Sequence, residues 1–215
     1  MDQTVQIKVD GFFRKYKKHS YKKGEMLIRA DDEPQGTMYL TRGRVKAYSI
    51  SRKGEEVIVN IFKEGSFFPM SWAVTDSPNT YFYEALTEVE LWRAPKNDVV
   101  VFLRTEPDVL FDLLRRVFIG VDGILQRMSY LMGEDAYTRL IAELVITAKR
   151  FGEKTEEGAV ELKISEKDLA AQTGLTRETV SREIKKLKDK NLITLRRDVV
   201  LIQSLSYLEN ELVED

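Results

Sequence analysis

The chain has no cysteine and a single histidine, His19, among its 215 residues. Lack of thiols excludes disulfides, thiolate-held metals, cysteine-ligated iron–sulfur clusters and cysteine nucleophiles. One histidine leaves a His-only metal site, or a haem gripped by two histidines of one chain, without ligands. His19 lies ahead of the expected first strand and reads as a surface residue, so neither a metal nor a cofactor is expected. No apolar run approaches the ~18 residues that a membrane span needs. The opening MDQTVQIKVDGFF lacks the basic-then-apolar order of a secretory signal, which points to a cytoplasmic chain without membrane partners. Signs of catalysis are missing too. No glycine-rich phosphate loop follows a strand, Asp31-Asp32 reads as an exposed turn, and no base accompanies Ser51 or Ser71, so an enzyme is not expected.

What is present suits a folded globular chain: 43% hydrophobic and 32% charged residues. The formal charge is only −1, but its distribution is uneven. Residues 177–197 carry eight Lys/Arg against three Asp/Glu, while acids gather at Asp31-Asp32-Glu33 and from Glu209 to Asp215. A local basic patch is the footprint of a nucleic-acid contact, although a solvated helix face gives the same count.

From about Tyr21 to Pro95 the chain reads as short alternating runs. They are Met26-Leu27-Ile28, Met38-Tyr39-Leu40, Val45 to Tyr48, Val57-Ile58-Val59 after a Lys53-Gly54 turn, Tyr81-Phe82-Tyr83 and Val89 to Trp92. Many short strands with glycine corners predict an antiparallel sandwich or barrel. Pro34, Pro69 and Pro78 fall between the runs, where a missing N–H breaks no ladder.

At Pro107 the period changes. Leu110, Leu114, Val117, Val121, Ile124, Met128 and Leu131 follow at steps of 4, 3, 4, 3, 4 and 3. This is the seam of a coiled coil, widened by Leu113, Phe118 and Leu125. It predicts a helix with one face on its own β-domain and another on a second copy; a monomeric core helix is the alternative. Gly133-Glu134-Asp135 ends the pattern as a hinge, and Asp135 is placed to cap the next helix, which buries Leu140, Leu144, Val145 and Ala148. After a loop from Gly152 to Gly158 comes a short strand, Val160 to Lys163.

The stretch ISEKDLAAQTGLTRETVSREIKKLKDKNLI, residues 164–193, carries the function. Ser165 and Asp168 form a capping-box start, Leu169 and Ala170 face inward, and Gly174 makes a tight turn. Thr176 caps a second helix whose Val180, Ile184 and Leu187 share one face. Two short helices across a glycine turn predict a helix-turn-helix. Arg177, Glu178, Ser181, Arg182 and Lys185 share the opposite face. Arginine can bond guanine O6 and N7, and glutamate can accept from cytosine N4, when such side chains enter a major groove. An ordinary amphipathic helix with a Glu178–Arg182 pair is the competing reading. The hairpin Leu195 to Ile202, tipped by Arg197-Asp198, predicts a wing that sets Arg196 and Arg197 against phosphate.

The order of these parts, with GLTRETVSREIKKL near the C-terminus, resembles the CRP/FNR family of bacterial transcription regulators over residues 12–203. The resemblance implies an α+β chain: an N-terminal antiparallel β-roll like a cyclic-nucleotide-binding jelly roll (1–106), a long dimerisation helix and hinge (107–134) and a C-terminal winged helix-turn-helix (135–215). It implies a homodimer reading a two-fold-symmetric operator in double-stranded DNA, with RNA polymerase as a further partner. By matched position Arg177, Glu178 and Arg182 resemble the base-reading trio, and Ser165, Lys167, Thr176 and Thr179 the phosphate contacts. A TGTGA-like half-site follows as a hypothesis.

Cyclic-nucleotide-binding relatives carry Gly-Glu and Arg-Ser/Thr in the cassette that holds ribose and phosphate. Here Pro69-Met70 and Asn79-Thr80 stand in those places, so control by cAMP or cGMP is not expected. The cassette is instead apolar: Phe67, Phe68, Met70, Trp72, Tyr81, Phe82 and Tyr83. With Ile124, Leu125 and Met128 these residues form a candidate pocket for an apolar or aromatic effector, or else simply fill the space as core. A weakly specific architectural DNA binder is the alternative to a sequence-specific regulator.

Overall fold

The computed structural model describes residues 2–52 and 54–212. Lys53 of the expected turn and the last three residues of the acidic terminus lie outside them. The chain forms two compact units that divide between Phe118 and Ile119, inside the long helix.

The first unit contains helix α1 (Gln3–Phe13), strands β1 (Lys17–Tyr21), β2 (Met26–Ile28), β3 (Thr37–Arg42), β4 (Val45–Ile50), β5 (Glu56–Phe62) and β6 (Phe67–Phe68), and helix α2 (Met70–Thr75). After these come β7 (Phe82–Ala85), β8 (Val89–Ala94), α3 (Lys96–Thr105) and the start of α4 (Pro107–Gly133). The strands form two antiparallel four-stranded sheets, ordered β1-β8-β3-β6 and β2-β7-β4-β5, which is the expected β-roll. Alternation explains the packing between them. Met38 and Leu40, Val45 and Ala47, Tyr83 and Ala85, and Val89 and Leu91 project into one core with Phe68. Within it the Phe68 ring stacks on Phe62 and Tyr83, with centroids 4.9 and 5.5 Å away.

The opposite face of β3 is dry as well. Tyr39, Phe67 and Ala94 are covered by Val5, Val9 and Phe13 of α1 and by Val99, Leu103 and Val109. The Tyr39 ring stacks on Phe13 at 5.0 Å, and its hydroxyl accepts from the Gln6 amide at 2.6 Å. Lys8 of α1 also reaches Glu106 at 2.8 Å and Asp108 at 2.6 Å, where α3 turns into α4. Gly43, at φ 92°, turns β3 into β4, and a Cβ there would collide with the Glu88 carbonyl.

The strands begin earlier than the apolar alternation predicts, with β1 at Lys17. His19 does not precede the first strand but lies within β1, opposite Leu91. It is half-buried; burial, then Arg93 and Lys17, hold its imidazole below the ordinary histidine range. β1 reads KKHSY, an edge strand written in lysine and polar residues, so no apolar alternation announces it.

The second unit holds the rest of α4, then α5 (Ala136–Phe151), β9 (Glu153–Lys154), β10 (Val160–Lys163), α6 (Glu166–Thr173), α7 (Arg177–Asp189), β11 (Ile193–Arg196), β12 (Val199–Ile202) and α8 (Leu205–Asn210). Asp135 caps α5, accepting from the Thr138 N–H at 2.9 Å. Leu140, Leu144, Val145 and Ala148 of α5 pack with Leu162, Leu169, Ile184, Leu187 and Ile202 into one core. Glu143, on the same helix, is 3% exposed and takes both Nε and Nη2 of Arg127, at 2.7 and 2.8 Å.

Phe68→Ala removes a fully buried ring from a three-ring stack. Urea unfolding of the variant is expected to show a loss of about 3–5 kcal/mol.

Candidate nucleic-acid interface

Local chemistry builds the helix-turn-helix. The Ser165 hydroxyl accepts from the Asp168 N–H at 3.1 Å while the Asp168 carboxylate turns back to the Ser165 N–H at 3.4 Å, closing a capping box. Gly174 ends α6 in the left-handed region, at φ 63°. Thr176 then caps α7 by accepting from the Thr179 N–H at 3.2 Å. Val180, Ile184 and Leu187 are buried against α5 and α6. This burial turns Arg177, Glu178, Ser181, Arg182 and Lys185 outward, and all five are exposed.

The exposed groups are only lightly engaged. Arg177 Nε lies 3.9 Å from Glu166 of α6. The Glu178 carboxyl is held below its ordinary range by its own backbone N–H and then by the Thr176 hydroxyl. No Glu178–Arg182 pair forms among the described residues; Arg182 instead reaches the neighbouring Glu183 at 3.0 Å. Ser165, Thr176 and Thr179 serve as capping and turn groups, Thr176 and Thr179 hydroxyls lying 3.1 Å apart. Lys167 is exposed on α6. β11 and β12 pair from Ile193↔Ile202 to Arg196↔Val199. Arg197 takes the tip at φ 52°, and Arg196 and Arg197 are both exposed.

Glu183 escaped the sequence reading. It is 2% exposed and meets Lys186 at 2.5 Å as well as Arg182. The signal was its position between Val180 and Leu187 on the inward side, where a carboxylate needs partners.

On α4 the seam positions Leu110, Leu114, Val117, Val121, Ile124, Met128 and Leu131 are each at least 40% exposed. This 27-residue helix fully buries only Val109. Phe111, Phe118, Leu125 and Met132 repeat at seven-residue steps beside the seam and are more exposed still.

The cassette aromatics are not brought to one surface. Phe68 and Tyr83 point into the sandwich, whereas Phe67, one residue from Phe68, faces Tyr39, Phe13 and the Arg116 guanidinium. Met70 packs beside that second cluster, Trp72 is buried under the Lys96 ammonium at 4.8 Å, and Tyr81 is 40% exposed. Ile124, Leu125 and Met128 belong to the other unit. Pro69 stands at the start of α2, and Asn79, 6% exposed, donates to the Arg29 and Tyr81 carbonyls at 2.9 Å. The described residues contain no cluster of three metal-ligating side chains. None of their helices is long and apolar enough to cross a membrane.

Burial pushes the Glu183 carboxyl up, but Lys186 and Arg182 outweigh it and the net shift is downward. A carboxyl depressed in the folded state stabilises above its unfolded pKa of about 4.3 and loses that contribution as pH falls through the folded value. Glu183→Gln is expected to cost about 1–2 kcal/mol at pH 7. In denaturant titrations its deficit against the unmodified protein should stay constant above about pH 5 and shrink below about pH 4.

Residues 18–106 match the family model of the cyclic nucleotide-binding domain, and residues 138–211 that of the Crp-like helix-turn-helix domain. The chain is 26% identical over 186 residues to the global nitrogen regulator of Nostoc sp. (strain PCC 7120 / SAG 25.82 / UTEX 2576), covering 85% of this chain and 83% of that protein. It is 23% identical over 185 residues to the cAMP-activated global transcriptional regulator CRP of Pasteurella multocida (strain Pm70), covering 86% and 88%. Its fold superposes on the crystal structure of a CRP/FNR-family transcriptional regulator from Thermus thermophilus with a TM-score of 0.76, at 23% identity, over 92% of this chain and 99% of that one. A β-roll and a winged helix-turn-helix in this order, each matching its own family model, make this chain a member of the CRP/FNR family of transcription regulators, with a helix-turn-helix DNA-binding domain.

Proposed function

We propose that the protein regulates transcription as a homodimer bound to a two-fold-symmetric operator. The observation that carries this reading is the outward face of α7, where Arg177, Glu178, Ser181 and Arg182 stand exposed in the first turns while Val180, Ile184 and Leu187 are buried behind them. Ser165, Lys167, Thr176 and Thr179 are assigned to phosphate on one side, and Arg196 and Arg197 of the wing on the other. Their N–H and O–H groups hold the register while α7 reads base edges.

Support for pairing comes from the exposed seam of α4, whose apolar positions lack full cover among the described residues. Two copies zipped along α4 present two α7 helices to major grooves one turn apart, about 34 Å. Arginine and glutamate at the helix start favour a half-site with guanine, of TGTGA type.

The reading also holds that neither cAMP nor cGMP controls the protein. Pro69 and Met70 offer no ribose acceptor, and Asn79 spends its amide on the Arg29 and Tyr81 carbonyls and carries no charge to neutralise a phosphate. Calorimetry with cAMP is expected to show no micromolar binding.

Selection of bound sites from random DNA should return an inverted repeat with guanine in each half, preferred about 10³-fold or more over random duplex. Equal displacement by random DNA would favour an architectural binder instead. Arg177→Ala should cost about 1–3 kcal/mol at the selected site and relax the base preference at one position of each half. Arg197→Ala should weaken all sequences alike and lower the salt dependence of log K by about one per wing.

A further inference from the structure

We propose, resting on the reading of α7 as the helix that meets base edges, that Glu183 is a positioning residue for Arg182. It pins the Arg182 guanidinium at the outward face of α7, touches no DNA itself, and sets how strictly one base of each half-site is read.

Consecutive residues of a helix do not face each other. Glu183 is 2% exposed, on the inward side between Val180 and Leu187, whereas the Arg182 side chain is 65% exposed. The long arginine stem bridges the two directions, and its Nε donates to Glu183 Oε1 at 3.0 Å. The second carboxylate oxygen, Oε2, meets the Lys186 ammonium at 2.5 Å. That ammonium in turn lies 5.7 Å from the centre of the Tyr137 ring on α5. Glu183 is thus held from behind. Turning it away would leave a buried carboxylate without its two cations, so the arginine is tied to a fixed point.

The ordinary partner of Arg182 on an exposed helix would be Glu178, one turn earlier, and no such pair forms among the described residues. Only Nε of Arg182 is engaged, by Glu183. Nη1 and Nη2 carry no partner among the described residues, and these are the groups whose hydrogens guanine O6 and N7 can accept. A free arginine loses rotamer freedom on binding and can swing to follow a misplaced acceptor; one pinned at Nε loses less and follows less. Discrimination between bases is the property that such pinning improves.

A double-mutant cycle of Glu183→Gln and Arg182→Ala on the site selected from random DNA tests this. Glu183→Gln is expected to cut discrimination about five- to tenfold at the base position that Arg182→Ala relaxes, and to leave the position relaxed by Arg177→Ala unchanged. In the Arg182→Ala background it should alter no base preference. An equal loss at every position, a tighter complex, or an unaltered preference would each overturn the proposal. Urea unfolding confirms that the variant compared is folded. Without DNA, the Arg182 Nε–H should give a discrete resonance in proton–nitrogen spectra of the unmodified protein and broaden by exchange with water in Glu183→Gln. An identical resonance in both also overturns it. If Arg182→Ala itself relaxed no position, both this proposal and the reading of α7 would fall; relaxation by Arg182→Ala but not by Glu183→Gln removes this proposal alone.

Discussion

Burial of three aliphatic side chains, Val180, Ile184 and Leu187, decides how α7 is rotated about its own axis. A helix has one such rotation, and every exposed position inherits its direction from it. With those residues in the core, Arg177, Glu178, Ser181 and Arg182 have nowhere to point but outward. The cap at Thr176 and the left-handed turn at Gly174 then set where the helix begins and how sharply the chain enters it. A site that reads base edges needs this rigidity, since its side chains work as a pattern rather than one by one.

Much of this was legible in the sequence because it is written in local rules. Capping residues, a glycine at positive φ and an apolar stripe at helical spacing are short-range signals, and α5, α6, α7 and the wing follow them. The strands β2 to β5, β7 and β8 were legible through alternation, whereas the two-residue β6 was not read as a strand. What escaped was long-range. β1 carries lysines where an apolar face would have marked it, and it exists because β8 offers a partner. Glu143 is buried, and only the fold shows that Arg127, sixteen residues earlier, lies beside it. Hydropathy cannot register a pairing between helices, such as that of Arg127 with Glu143, or the depth at which it occurs.

The cassette shows how side-chain direction divides one apolar stretch between two clusters. Its seven apolar and aromatic residues were read either as a pocket or as core, and consecutive strand residues face opposite ways. Phe67 and Phe68 therefore belong to different clusters, one beneath α1 and α3 and the other between the sheets. Ring stacking among Phe62, Phe68 and Tyr83 occupies the middle of the sandwich with protein atoms.

The N-terminal helix ties together one corner of the first unit. Its apolar face roofs Tyr39 and Phe67, while Lys8 grips two carboxylates at the corner from which the long helix departs. Eleven residues are thus joined to the start of α4. Any event that peels them away, whether a protease, a fused tag or a competing surface, would free that corner and wet two aromatic rings in a single stroke.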